Sequence, residues 1–452
     1  MKENKLRTVD LIIKNAKIFM DQQIQDGNIA IEGRKIVKIT KNSNLLRGEH
    51  YIDAKGQLVI PGVIDIHTHL RDLQYKDKED FYTGTCAAAH GGITTAIDMP
   101  NTNPPTVSTH LLKQKTDIAK KKTVINVGFY GGIPDKLEDI DSFRKLGIFG
   151  FKLYLSHSLS QFDIEDSEQL QNLFRKLKEE QLSLLIHAER KKDIEEILEQ
   201  KKDLGLSSQE LYLKCHSEEV EKRAIEYILH LNEPINCSIH FCHISTASGL
   251  QCLQEVKKKG KKISVEVTPH HLFLTLKDLK LHGSFAKMVP PLRTPKDIAA
   301  LWRGLNEGIV DIIATDHAPH TLSEKKCEFS QAANGIPGFE TLLPLLFTAL
   351  HDGKISLSRL VQLISENPAK FLKLPTKGKI KVGFDADLTI IDLNKRQQIN
   401  AANFFTKAKY SPFDKWWVRG IPTVTIVNGK IVMQEGEIIA PKGSGTIICP
   451  QM

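Results

Sequence analysis

The chain predicts an α/β fold: a (β/α)8 TIM-like barrel carrying a small, discontinuous β domain built from its two ends. Three observations carry that expectation. Short apolar runs alternate with helix-length segments through the middle of the chain. Eight such runs can be counted, which is the number a closed parallel barrel requires. The flanks before residue 58 and after residue 375 show a different texture, with short alternating runs separated by turn residues.

Residues 1–57 form the first flank, with strands expected at Val9–Phe19, Asn28–Glu32 and Lys35–Ile39 and a turn at Gly33-Arg34. Residues 58–374 form the barrel. Its expected strands are Leu58–Ile64, Ile93–Met99, Val124–Tyr130, Gly150–Leu155, Leu182–His187, Ser238–His243, Ile263–Thr268 and Ile309–Thr315. Each is rich in β-branched residues or leucine and bounded by glycine, proline or a polar residue. Residues 375–452 form the second flank, with strands at Ala386–Leu393, Thr423–Asn428 and Lys430–Gln434. Asn428-Gly429 is a strong hairpin signal between the last two. At 452 residues the chain has room for a barrel of roughly 250 residues and an accessory domain.

Composition narrows the function classes. Hydrophobic residues make up 41% and charged residues 26%, an ordinary soluble balance. The net charge of +8 comes partly from Lys120–Lys122 and Lys257–Lys262, and neither run is interleaved with aromatics. Solvated helix ends are expected there and no nucleic-acid partner, although a mildly positive field suits an acidic metabolite. Seven scattered cysteines with no C-x-x-C argue against a disulfide framework or a thiolate zinc site. Reduced thiols and a cytoplasmic location are the expectation. Met1–Lys5 lead into a β pattern, so no signal peptide is expected. The longest apolar stretch, Leu342–Leu350, is interrupted by Pro344 and Thr348, so no membrane association is expected either.

Barrel enzymes place their chemistry at the C-terminal ends of the strands. Here almost every expected strand ends in a side chain that binds metal or handles protons. His67 and His69, in Asp65-Ile66-His67-Thr68-His69-Leu70-Arg71, stand at i and i+2 on an extended segment and share one face. Asp98 closes the second strand, Lys152 lies in Gly150-Phe151-Lys152-Leu153-Tyr154, and His187, His243 and Asp316 end later ones. A single such residue is more often a satisfied polar group, and Asp316 alone could cap a helix. Four histidines and an aspartate at strand ends point jointly to a divalent metal, with zinc suited to neutral imidazole and carboxylate, and two ions could share the site. His243 is nearer the strand end than His240 and is preferred to it. His270-His271 could support the site by hydrogen bonds or simply pack.

These segments together resemble the amidohydrolase superfamily, and within it the cyclic amidases. They are most similar to the long-form dihydroorotase family, with an archaeal-like Leu73–Asp80 stretch. The phrases that carry the likeness are Asp65–Arg71, Asp98–Pro104, Gly150–Tyr154, Thr268–Leu272 and Thr315-Asp316-His317-Ala318-Pro319-His320. The resemblance implies a TIM-like barrel with a β-sandwich made by the two ends. It implies that His67, His69 and Asp316 hold one zinc, that His187 and His243 hold a second, and that Lys152, carboxylated by CO₂, bridges them. It further implies reversible closure of N-carbamoyl-L-aspartate to (S)-dihydroorotate, with Asp316 exchanging the proton. Arg71, Asn101 and His320 match residues that clamp the substrate carboxylate, and Gly335 matches a loop that offers backbone to the ring. The family also leads one to expect a homo-oligomer, dimer or tetramer, and in some assemblies association with an aspartate carbamoyltransferase.

Two features depart from the family pattern. Val289 stands where an asparagine that touches substrate is usual, and Leu73-Gln74 replaces a Pro-Gly. Val289 keeps open a different ring, as in hydantoinases or allantoinases, which share Asp-His at 316–317 but typically lack a histidine at the position of His320. A catalytically inactive scaffold of the same fold is the remaining alternative, although scaffolds usually lose the metal ligands that this chain retains.

Overall fold

The computed structural model describes residues 8–42 and 47–451. Met1–Lys5, where no signal peptide was expected, lie outside the described residues. The first flank supplies β1 (Thr8–Met20), β2 (Gln23–Glu32), β3 (Lys35–Thr40), β4 (Arg47–Asp53) and β5 (Leu58–Pro61). β1 and β2 form one long hairpin, turned by Asp21 and Gln22 with φ of 48° and 63°. The sequence shows only the apolar half of β2, because residues 23–27 are mostly polar and their one large apolar side chain, Ile24, is exposed. β4 is unexpected for a similar reason. It runs parallel to β1 and buries only Ile52.

The barrel staves are β6 (Val63–Thr68), β7 (Ile93–Asp98), β8 (Asn126–Phe129), β9 (Gly131–Gly132), β10 (Gly150–Tyr154), β11 (Ser183–His187), β12 (Ile239–Phe241), β13 (Ile263–Val267) and β14 (Ile312–Ile313). β8 and β9 are two halves of one stave interrupted at Tyr130. β6 to β8 pair in parallel, as do β9 to β14. These groups are joined at both edges: Phe149 N donates to Phe129 O (3.0 Å), and Thr68 bridges to His317 in parallel sense. Ile64, Ile66, Ile97, Leu185 and Ile312 pack inside the staves. Helices cover the outside. Ser167–Glu179, capped by Asp166, buries Leu170, Leu173, Phe174 and Leu177, the spacing of one helical face.

The second flank adds β15 (Leu388–Gln398), β16 (Trp417–Val427), β17 (Lys430–Gln434) and β18 (Glu437–Ile438). Among the described residues the two flanks share a nine-stranded sheet ordered β18-β17-β16-β15-β5-β1-β2-β3, with β4 on β1. Ile13, Ile31, Ile36, Val59, Ile390 and Ile426 meet in one core. Strands far apart in the order share that core, so the sheet folds over itself as a sandwich. The chain's final segment turns back, and Ile447 bridges to Val127 on β8.

Leu58–Ile64 is not the single barrel strand expected. Its first half, β5, pairs with β1 and β15, and only the second half enters the barrel. Both halves are buried, so the apolar run hides the break at Gly62. Gly62 N donates to Asp387 O (2.7 Å), and a Cβ there would stand 2.2 Å from Thr94 Oγ1. The Leu342–Leu350 run lies in the helix Phe339–His351, which is buried along most of its length. No helix among the described residues is long and apolar enough to cross a membrane. All seven cysteines are unpaired.

The Gly62 junction gives a direct test of this packing. Gly62→Val is expected to lower stability by about 1–3 kcal/mol through overpacking, seen as a lower urea midpoint. An unchanged midpoint would mean that the junction has room the structure does not show.

Candidate metal centre

The strand ends converge. His67 is the penultimate residue of β6 and His69 follows it. His187 ends β11, His243 lies two residues past β12, and Asp316 lies three past β14. The His67 ring centroid is 5.5 Å from that of His69 and 5.3 Å from that of His243, and His187 is 4.8 Å from His243. Asp316 Oδ1 lies 3.0 Å from His69 Nε2 and 3.4 Å from His67 Nε2. Lys152, in the middle of β10, is buried and donates to Cys242 Sγ (2.9 Å). Its charge opposes protonation of both His67 and His243.

β12 and β14 are shorter than expected because the chain leaves the ladder to form this rim. His243 and Asp316 have φ of 35° and 47°, and Arg71 has φ of 57°. Non-glycine residues in that region cost of order 1 kcal/mol each and cluster at sites that need a side chain aimed against local preference.

Each imidazole is oriented from behind. His67 Nδ1 lies 2.7 Å from Glu266 Oε1, and His69 Nδ1 lies 2.7 Å from Asn101 Oδ1. Both partner oxygens accept, so each Nδ1 carries a proton and each Nε2 is the nitrogen turned toward Asp316, where a metal ion would displace any second proton. His187 Nε2 is 2.8 Å from Glu189 Oε2, close though not aligned as a hydrogen bond, which turns Nδ1 to His243. Glu266 also accepts from His240 Nε2 (3.1 Å) and from His243 N (3.0 Å). His240 therefore faces Glu266 and Ser264, whereas His243 faces the cluster. His271 is held by Thr268 and Pro290 O. Asp98 is tied to Lys115 at 2.6 Å, away from this set.

Charge and burial pull these groups in opposite directions. Burial disfavours a charge on His67, but Glu266 raises it to about 10. Burial pushes His69 down to about 3 and His243 well below the ordinary imidazole value. Burial raises Asp316, yet His67 and His69 together hold it well below the usual carboxylate range.

The arrangement fits a divalent metal. His67 Nε2 and His243 Nδ1 are buried with no hydrogen-bond partner, and the donors of His67, His69 and Asp316 all lie within 4.8 Å of one another. His187 Nδ1 and His243 Nε2 are 3.1 Å apart. Neighbouring ligands on a tetrahedral zinc with bonds of roughly 2.0–2.1 Å stand about 3.3 Å apart. A second close trio, His67, Cys242 and Glu266, is accounted for by hydrogen bonds, since Glu266 serves His67 and His240 and Cys242 serves Lys152.

Beside this cluster Arg71 Nη2 approaches His320 Nε2 at 3.3 Å, and Arg71 is buried. Burial pushes His320 down to about 4. Asn101 meets His69 through Oδ1 alone. Gly335 has φ of 135°, and a Cβ there would stand 2.5 Å from Ala318 O, so glycine is required. Val289 is half-buried.

A family model described as the amidohydrolase family matches residues 58–432. The chain belongs to the amidohydrolase family. A dihydroorotase of Methanosarcina mazei is 36% identical over 455 residues, covering 97% of both chains. An L-hydantoinase of Paenarthrobacter aurescens is 31% identical and covers 97% of this chain and 98% of its own length. The solved L-hydantoinase (dihydropyrimidinase) from Arthrobacter aurescens superposes with a TM-score of 0.93 at 31% identity, over 98% of this chain and 100% of that one. This member of the family is thus a metal-dependent cyclic-amide hydrolase with a small-molecule substrate.

Glu266 went unnoticed in the sequence because a lone acid in Ile263–Val267 looks like the exposed position of an alternating strand. A carboxylate that fixes a ligand's tautomer typically contributes 10–100-fold to metal affinity. Glu266→Gln is expected to weaken metal binding by about that factor in equilibrium dialysis. Affinity equal to the parent protein would show that the charge behind His67 is dispensable.

Proposed function

We propose that the protein is a dihydroorotase, catalysing reversible closure of N-carbamoyl-L-aspartate to (S)-dihydroorotate and water in pyrimidine synthesis. The observation that carries this reading is the buried Arg71–His320 pair at the edge of the metal cluster. A planar guanidinium held out of water beside an imidazole suits a substrate carboxylate, which dihydroorotate has and simple hydantoins lack. Dihydroorotases at 34–36% identity, archaeal ones among them, support it.

In this proposal His67, His69 and Asp316 would hold one zinc, His187 and His243 would hold the second, and Lys152, once carboxylated, would serve as a ligand to both. When bound, the pair supplies Lewis acidity at the ring carbonyl and a hydroxide nucleophile at neutral pH. Asp316 uses Oδ1 for both histidine contacts, which leaves Oδ2 to take a proton and return it to the leaving ring nitrogen. Lys152 is buried and, among the described residues, in no ion pair. Carbamate formation would turn that isolated cation into an anion facing the metals. Arg71 and His320 orient the substrate by its carboxylate, Asn101 keeps His69 in register, and Gly335 lets backbone approach the ring.

A second reading, a hydantoinase, is favoured by Val289, which offers no hydrogen bond, and by the likeness to L-hydantoinase. Turnover of dihydroorotate, hydantoin and allantoin by the zinc-loaded protein separates the two. Dihydroorotate is expected to be preferred by kcat/KM, and negligible turnover of it beside brisk turnover of another ring would refute the proposal. Lys152→Ala is expected to lose at least about 100-fold in kcat, with partial recovery in millimolar short carboxylic acids that replace the carbamate. Near-normal activity without added acid would rule out the bridge.

A further inference from the structure

Lys287 and Lys325 lie behind the Arg71–His320 pair. Both are buried, and among the described residues neither forms an ion pair with a carboxylate. Their ammonium groups are instead filled by backbone carbonyls, five of them from one loop and the sixth from Lys287 itself. Lys287 Nζ donates to Phe329 O (2.7 Å), Ser330 O (3.3 Å) and Ala332 O (2.8 Å). Lys325 Nζ donates to Ala333 O (2.8 Å), Gly335 O (3.0 Å) and Lys287 O (3.1 Å). Between them Asn334 O lies 2.9 Å from His320 Nε2 and accepts from it. The loop from 329 to 335 is therefore shaped around three donors, and one of those donors belongs to the clamp.

The nearest acid is already used. Glu324 sits 2.7 Å from Lys78 and 3.7 Å from His320. Burial, and then the neighbouring Lys287, push Lys325 down to about 7. The charge on Lys325 in turn helps to depress His320, so its field reaches the clamp. Two buried cations without counter-charges act over several ångströms with little screening.

We infer that Lys325 and Lys287 are positioning residues that also set charge specificity. They hold the loop by its carbonyls in the shape that presents His320 and Gly335, and their unpaired charge makes the site prefer a ring with a carboxylate over the same ring without one. The choice of ring rests on the dihydroorotase reading above.

The test compares dihydroorotate with dihydrouracil, the same ring lacking the carboxylate, on the zinc-loaded full chain. Lys325→Met is expected to raise KM for dihydroorotate about tenfold more than it raises the inhibition constant of dihydrouracil, because loosening the loop at Gly335 weakens both ligands and loss of the charge weakens only the first. Lys325→Arg, which keeps the charge, is expected to hold the ratio of the two constants near the parent value. Equal losses for both ligands, or none for either, overturn the charge role.

Should Lys325→Met not fold, the parent protein decides. The groups facing Lys325 are Lys287, Glu324, Cys327 and Tyr410. Glu324 is held well below the usual carboxylate range, and burial raises Tyr410. The cation is present below about pH 7 and lost above it, so the ratio is expected to swing several-fold against dihydroorotate between about pH 6 and 9. Titrations of the metal centre common to both ligands cancel in the ratio, and a flat ratio overturns the inference. If the parent turns over hydantoin and not dihydroorotate, the functional reading fails separately. The lysines are then judged by the same comparison of 5-carboxymethylhydantoin with hydantoin.

Discussion

Glu266 is a fully buried carboxylate shared by three strand ends, and the geometry of the candidate metal centre depends on it. One oxygen takes His67 Nδ1 and the backbone N–H of His243, and the other takes His240 Nε2. Burying an isolated carboxylate costs several kcal/mol. Here three donors offset that cost, and the result is a carboxylate held well below its ordinary range, with burial opposing and His67 and His240 prevailing. The same bonds tie β6, β12 and β13 at one level and decide which nitrogen of His67 faces inward. Without that carboxylate the orphaned His67 Nε2 would have no fixed direction, and the cluster would be several histidines near one another rather than a set of aimed lone pairs.

The rim shows what this organisation demands of the backbone. Arg71, His243 and Asp316 leave their strands with positive φ. Asp65 braces two of these departures, accepting from Thr315 Oγ1 (2.5 Å) and from His67 N (3.2 Å), and burial raises its carboxyl to about 7. Lys115 does similar work on the other side, pairing with Asp98, whose second oxygen accepts from Leu70 N (2.6 Å) just before Arg71. Strain of this kind persists only where the surrounding structure overdetermines it, and a closed barrel with a packed interior supplies that rigidity.

Much of this was legible in the sequence, for physical reasons. A barrel concentrates its chemistry at one rim, so histidine and aspartate at the ends of apolar runs could be grouped before any coordinates. A short apolar run before the Gly33-Arg34 turn marked the second half of β2, and Asn428-Gly429 marked a turn. The rest was hidden because the signal was absent or was shared with another state. β5 and β6 read as one run since both are buried and only the Gly62 contact with Thr94 separates them. β4 buries a single residue and so has no pattern. Glu266, Lys287 and Lys325 look like ordinary solvated charges, and nothing local says that a charge will be enclosed by partners distant in the chain.

The two readings proposed above, dihydroorotase and hydantoinase, rely on the same cluster and differ in whether the ring carries a carboxylate, so the cluster cannot by itself decide between them. Discrimination has to come from groups outside it, and the structure separates the two sets in space. His67, His69, His187, His243 and Asp316 answer to Glu266, Asn101 and Glu189, all of them acceptors that tune lone pairs. Arg71 and His320 donate to backbone carbonyls, Pro319 O and Asn334 O, which orient both groups and leave the guanidinium charge uncancelled. A carboxylate in that second position would have neutralised the guanidinium and removed its attraction for an anion. Supporting a cation with carbonyls keeps it both fixed and charged, which is the condition that the proposed recognition of a ring carboxylate requires.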